Sequence, residues 1–259
     1  MNGPQTTNAR QADRRMNVTV GIIQPNYLPW RGYFDFIAEV DVFIFLDDVQ
    51  YTRGDWRNRN RIRLRKGGSA WITVPVCHGG SCEIREARID QTRPWAEQHL
   101  ASLQSNYSGT EGFASFYPVL EEALSRTWER IADLDIALTK KILNHLGITT
   151  PLLSASDLGV EGRRDERLIR LVRAVRGSRY LSGPAALAYL QPRLWSAAGI
   201  ELAFKSYAGY APYQQVGPSF DPQISIVDTI FMTGAAAPFY VRPMRDTEDQ
   251  LTRRAGEPR

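Results

Sequence analysis

A short apolar strand that runs into two prolines constrains this chain more than any other feature. Val18 to Ile23 are apolar apart from Thr19 and Gly21, and the chain then reads Gln24-Pro25-Asn26-Tyr27-Leu28-Pro29-Trp30-Arg31-Gly32-Tyr33. Proline offers no backbone N–H, so a strand ladder stops there. A helix-like segment, Phe34 to Val40, follows. A second apolar strand, Val42 to Leu46, then ends in Asp47-Asp48-Val49-Gln50-Tyr51. Strand, helix and strand in so few residues predict a parallel pair joined by a crossover. In open α/β sheets, ligands bind beyond the carboxyl ends of such strands. The turn after the first strand therefore presents Gln24, Tyr27, Trp30 and Tyr33 where a ligand would sit. Aromatic faces stack on planar or sugar-like groups and Gln24 orients them by hydrogen bonds. Gly32 is expected to allow close approach to the backbone.

The remaining pattern extends the same class. Strands are expected at 60–64, 70–76 and, more briefly, 84–90. Lys66-Gly67-Gly68-Ser69 marks a hairpin, and alternating arginines before it mark a half-exposed strand. Helices are expected at 94–103, 118–127 and 130–146. The last carries Ile131, Leu134, Ala137 or Leu138, Ile142 and Leu146 at helical spacing and ends at Gly147. Then come a strand at 150–154, a helix at 164–176, a strand at 180–182, helical segments at 184–190 and 194–198, a strand at 200–204 and a closing helix at 224–233. The succession predicts an α/β fold: a Rossmann-like, mostly parallel sheet with a helical insertion at about 94–147. Residues 1–15 are expected to be a disordered leader, 16–240 a single domain and 241–259 a disordered tail.

Bulk properties narrow the function only a little. The 259 residues carry 32 basic and 28 acidic side chains, a net charge of +4 that favours anionic ligands slightly. No run approaches the ~20 apolar residues of a membrane span, and no apolar segment marks residues 1–15 as a signal peptide. The two cysteines, Cys77 and Cys82, flank His78 in a glycine-rich tip. Together with the absence of four-ligand spacing, they point to a reducing, cytoplasmic setting and to no metal site. Glycine-rich phosphate loops and a nucleophile elbow are missing from the sequence.

Three further groups carry candidate chemistry. Asp47 and Asp48 end a strand, where side chains alternate between faces, so one of them can enter a pocket as a general base or orient an amine. Asx capping of the next turn is the competing reading. Trp56-Arg57-Asn58-Arg59-Asn60-Arg61 is the most polar stretch, and its guanidinium forks suit phosphate or carboxylate. Tyr213 and Gln214 lie in a late Pro/Gly-rich loop. Ser225 and Asp228 are spaced as a capping-box variant.

Taken in order, Gly21 to Phe34, Asp47-Asp48-Val49-Gln50-Tyr51, Trp56 to Ile62, Trp71-Ile72-Thr73-Val74-Pro75, Tyr213-Gln214, Phe220-x-Pro222 and Ser225-Ile226-Val227-Asp228 resemble the WbqC-like family over roughly residues 17–234. That family is associated with gene clusters for O-antigen and other glycoconjugates and for natural products. The resemblance implies a biosynthetic enzyme that decorates an amino sugar or similar amine with an acyl or aminoacyl group. Asp47, Asp48 and Tyr33 would then be catalytic. Gln24, Tyr27, Trp30, Gln50, Tyr51, Arg57, Asn58, Arg59, Asn60, Tyr213 and Gln214 would bind substrate. The cofactor is unknown. The donor could be nucleotide-linked or carrier-borne, delivered by a carrier protein or an aminoacyl-tRNA, and a homodimer is compatible. A second resemblance, to nucleotidylyl transferases and adenylate-forming enzymes, rests on the Pro-containing turn after a strand, but their histidine pair is absent. It keeps a nucleotide-activating enzyme open as an alternative, beside a non-catalytic sugar-nucleotide binding protein.

Overall fold

The computed structural model describes residues 17–77 and 80–244. The expected leader, His78 and the expected tail beyond Met244 lie outside the described residues. The first half-turn of the fold follows the reading of the sequence: β1 (Thr19–Ile23), α1 (Arg31–Ala38) and β2 (Val42–Phe45) form a parallel crossover unit with Val20 paired to Val42. The hairpin β3 (Arg59–Arg63) and β4 (Ser69–Thr73) stands apart as a two-stranded sheet. Three helices, α2 (Trp95–Tyr107), α3 (Phe113–Leu124) and α4 (Ile131–His145), form the insertion. The second half contains β5 (Leu152–Ser154), α5 (Ala155–Leu158), α6 (Arg164–Ala174), β6 (Arg179–Ser182), α7 (Pro192–Ala197) and β7 (Glu201–Phe204). It ends in α8 (Ile226–Thr233) and α9 (Ala237–Val241).

The main sheet is five-stranded and wholly parallel, in the order β5-β2-β1-β6-β7. Strand side chains alternate between faces, and here the alternation sorts residues into two cores. Val20, Ile22 and Ile44 join Leu171, Val172 and Trp195 under α6 and α7. Phe43, Phe45 and Leu181 join the larger cluster built by α1, the helical insertion, α8 and the hairpin. Gly21 is required where α1 lies on β1, because a Cβ there would collide with the Phe36 ring. Chain order reverses across β1 and β6: β2 and β5 lie to one side, β6 and β7 to the other. Such a switch point opens a crevice at the carboxyl ends of the strands.

Several expected elements differ in place or kind. The segment 84–90 is not a strand. Glu83 and Glu86 cap each other's backbone reciprocally and wind Ile84–Glu86 into a single 3₁₀ turn, leaving only isolated bridges at Arg88 and Ile89. Helix α3 begins at Phe113, five residues before Pro118, which sits inside it at the loss of one ladder bond. Residues 184–190 form a 3₁₀ turn, Pro184–Ala188, after Gly183. The chain does not close at residue 233, for α9 continues to Val241, which is 1% exposed, and Pro243 bridges Tyr210.

Candidate functional site

The turn after β1 is clamped from three directions. Tyr27 N–H donates to the Trp56 carbonyl (2.9 Å), and Asn60 Nδ2 donates to the Leu28 carbonyl (2.9 Å). Ser225 Oγ donates to the same Leu28 oxygen (2.7 Å). Leu28 is fully buried and has φ of +42°, a left-handed conformation a branched side chain adopts only where its surroundings dictate it. Ile226 N–H donates to the Pro29 carbonyl, and Trp30 bridges Ser225. The start of α8 and strand β3 therefore fix the turn as much as the prolines do.

This clamping opens a pocket of about 260 Å³ lined by Asn26, Pro29, Trp30, Tyr33, Trp56, Asn60 and Gln223. Its lining holds three aromatic faces and three side-chain amides, with no carboxylate, histidine or cation. Trp30 is braced edge-on by Tyr207 (5.0 Å between centroids) and Tyr210 (6.0 Å). Its ring also folds over Gly32, whose missing Cβ makes room for indole. The expected close approach at Gly32 is thus made by Trp30. Tyr33 is 3% exposed and donates its hydroxyl to the Gln24 carbonyl (3.2 Å). Burial, followed by the charges of Asp135 and Tyr207, raises the Tyr33 phenol well above its ordinary value, so it stays a donor. Asn60 spends its amide N–H on Tyr27 and Leu28 carbonyls and its oxygen on the Arg61 N–H (2.8 Å).

Other expected site residues turn inward or elsewhere. Tyr27 is fully buried in the main core, its hydroxyl 2.9 Å from His99 Nδ1, so it shapes the turn without facing a ligand. Asp47 accepts from the N–H and hydroxyl of Ser156 (3.0 and 2.6 Å), at the start of α5, and lines a separate open groove with Arg85, Arg130 and Lys140. Asp48 is ion-paired with Arg167 of α6, both side chains largely buried. Neither carboxylate lines the aromatic pocket. Gln50 is exposed and bridges Glu83. Arg57 pairs with Asp55, and Asn58 donates to the Val74 carbonyl (2.8 Å). Arg59 lies 4.3 Å above the Trp71 ring. Tyr213 donates to Asp228 (2.8 Å) inside the fold, whereas Gln214 is exposed. The neighbouring Gln215 is the buried one, bonding Tyr213 and both backbone groups of Asp221. Ser225 caps α8 through the Val227 N–H, as the spacing predicts, but Asp228 faces Tyr107 and Tyr213 rather than the cap.

One group escapes sequence reasoning. Asp135 of α4 is fully buried and neither carboxylate oxygen has a hydrogen-bond partner. Burial raises its carboxyl well above the usual range, with the Arg57 charge opposing. Its charge reaches Tyr27, Tyr33 and Tyr51. The Tyr51 hydroxyl, pushed up to about 12 chiefly by burial, Arg57 Nε and Thr139 Oγ1 also lack partners. The signal was a carboxylate on the apolar stripe of α4, between Leu134 and Leu138. Cys77 and Cys82 are free thiols. Among the described residues, no group of three or more histidine, cysteine and acidic side chains is placed to hold a metal ion, and no helix is long and apolar enough to cross a membrane.

Comparison with known proteins agrees with the motif order. The chain is 42% identical over 229 residues to the protein described as "Uncharacterized protein Rv1507c" of Mycobacterium tuberculosis (strain ATCC 25618 / H37Rv), covering 87% of this chain and 98% of that one. No solved structure matches. Residues 24–239 match the WbqC-like protein family, and this protein belongs to that family.

Proposed function

We propose that the protein transfers an acyl or aminoacyl group to the amine of a sugar or natural-product intermediate, with the acceptor held in the pocket beyond β1. The observation that carries this reading is the pocket's lining: Trp30, Tyr33 and Trp56 beside Asn26, Asn60 and Gln223, with no charged group. Aromatic faces pack against the apolar face of a polar ring, and the amides of Asn26 and Gln223 are placed to read its hydroxyls, Asn60 being spent on the turn itself. An uncharged lining suits an amine that must react as the free base.

In the reaction, the amine nitrogen attacks the donor carbonyl, the bond to the donor's oxygen or sulfur breaks, and the leaving group takes the amine proton. Asp47 and Asp48, committed to Ser156 and Arg167, are assigned to holding α5 and α6. The pocket acts by orienting the acceptor, a contribution that proximity alone makes large. Tyr33, kept protonated, donates to the Gln24 carbonyl and fixes the pocket wall.

The test is amide formation followed by mass spectrometry, with amino sugars as acceptors and thioester, activated-ester and aminoacyl-tRNA donors. A product heavier by the acyl group, lost in Trp30→Ala, is expected. Amide formation that persists undiminished in Trp30→Ala would place the acceptor elsewhere. Binding of the sugar with no product from any donor would favour a non-catalytic binding protein.

A further inference from the structure

Beside the pocket lies a second surface of different character. Strand β3 alternates: Asn60 and Ile62 point inward, while Arg59 and Arg61 face out with Trp71, which pairs with Arg61 across the hairpin. Trp71 and Trp56 are about half exposed and tilted toward each other, centroids 5.6 Å apart. Soluble proteins rarely leave two such rings uncovered side by side without a use. The Arg59 guanidinium sits over Trp71, and its Nε is buried without a hydrogen-bond partner. Arg53 lies along the same groove. Among the described residues, neither Arg53 nor Arg59 has a carboxylate partner, whereas Arg61 is held by Asp221 (3.1 Å). The groove's own acid, Asp55, is taken up by Arg57, Thr52 and the Trp56 N–H. The groove measures about 680 Å³ and shares Trp56 and Gln223 with the uncharged pocket.

We infer that groove and pocket hold one molecule, a nucleoside-diphosphate sugar: the base stacks on the tryptophan pair, the diphosphate lies on Arg53 and Arg59, and the sugar enters the pocket beyond Trp56. The inference rests on the proposed reading of that pocket and names its acceptor as a nucleotide-linked amino sugar. Stacking accepts any base, and arginine forks match phosphate oxygens. The chemistry beyond the shelf separates this ligand from coenzyme A, which is also a nucleoside diphosphate. A pantetheine arm is flexible and offers no ring to the faces of Trp30 and Tyr33.

Calorimetry on the full chain tests this without any turnover, so a failed transfer assay does not bear on it. The ligands are the five common nucleoside diphosphates, their diphosphate-glucose or diphosphate-mannose esters, coenzyme A, inorganic pyrophosphate and a ten-residue single-stranded oligonucleotide. At least one sugar ester is expected to bind at or below about 1 mM and more tightly than its free diphosphate. Trp71→Ala and Arg59→Ala should each weaken it at least about fivefold, as loss of one base stack does, while Lys66→Ala, an exposed cation on the hairpin turn, leaves it unchanged. Arg59→Lys should recover part of the loss. No binding by any diphosphate ester would overturn the inference, as would affinity indifferent to Trp71 and Arg59. Tighter binding of coenzyme A or of the oligonucleotide than of every sugar ester would also overturn it.

Discussion

Two neighbouring strands of one parallel sheet end in polar residues, yet their ends are put to opposite uses. Beyond β1, Trp30 and Tyr33 line a pocket with Asn26 and Asn60. Beyond β2, Asp47 caps α5 through Ser156 and Asp48 is bound to Arg167. Lying at the carboxyl edge does not by itself make a side chain available. What decides is whether the next elements leave it unspent. The β1 turn is clamped at its own carbonyls by Asn60 of β3 and by Ser225 and Ile226 at the start of α8, which leaves Trp30 and Tyr33 on the pocket wall. The β2 end is also held by backbone bonds, from Cys82, Ile84 and Arg85, but its two carboxylates are spent on Ser156 and Arg167, holding the second half of the fold.

The comparison breaks most readily at Arg167. Replacing it with alanine strands Asp48 in a largely buried position, and breaking such a pair costs about 3–5 kcal/mol. Chemical denaturation of Arg167→Ala should show that loss, with ligand affinity per folded molecule unchanged. A variant as stable as the parent would mean that Asp48 is spare and could serve chemistry.

The pH profile sharpens the same contrast, because the β1 turn rests on a neutral histidine. Burial holds His99, beside Tyr27, down to about 4 from its ordinary 6.5. Its contribution to stability is therefore present above pH 6.5 and lost as pH falls toward 4. His145, lowered by burial, acts in the same sense. Asp228 is raised by burial to about 6, so its contribution is present below its ordinary 3.8 and lost as pH rises through 6. Asp35 and Asp135 are raised by burial as well. Between pH 4 and 6 the two slopes oppose and flatten the profile. Asp228→Asn should remove one of the opposing contributions and steepen the fall in stability between pH 6 and 4 by up to about 3 kcal/mol relative to the parent. A profile in the variant parallel to the parent's would remove the Asp228 assignment.

Smaller effects follow at the two strand ends themselves. Asp47→Asn weakens a charged cap at the start of α5 and should cost about 1 kcal/mol in denaturation. Trp56→Ala, at a residue 43% exposed, should change stability by no more than about 0.5 kcal/mol. A larger loss there would show that Trp56 is structural rather than a free face of the pocket.

Much of the architecture was legible because it rests on local rules. The prolines that stop β1, the apolar stripe of α4 and the glycine-glycine hairpin each announce themselves within a few residues. The β1 turn was legible as a place but not as a geometry. Which of Tyr27, Trp30 and Tyr33 faces outward follows from the +42° φ of Leu28, and that is imposed by Asn60 and Ser225, 32 and 197 residues away. Gln214 and Gln215 differ by one step in an extended loop, so the choice between exposed and buried depended on a packing partner no local pattern reveals. Asp135 broke the apolar stripe of α4, and its weight was visible only once it stood enclosed and unpaired, within electrostatic reach of three tyrosines. Pro118 hid the start of α3, since a proline inside a helix reads as the beginning of one.

The most direct test sets the two strand ends against each other in one assay: kcat/KM for amide formation in Trp56→Ala and in Asp47→Asn, each beside its melting temperature. The account predicts a loss of about tenfold or more, some 1.4 kcal/mol, in Trp56→Ala with its melting temperature held, and near-parent kinetics in Asp47→Asn with a lowered one. Abolished turnover in a stably folded Asp47→Asn protein, with Trp56→Ala unimpaired, would contradict it and move the chemistry to the end of β2.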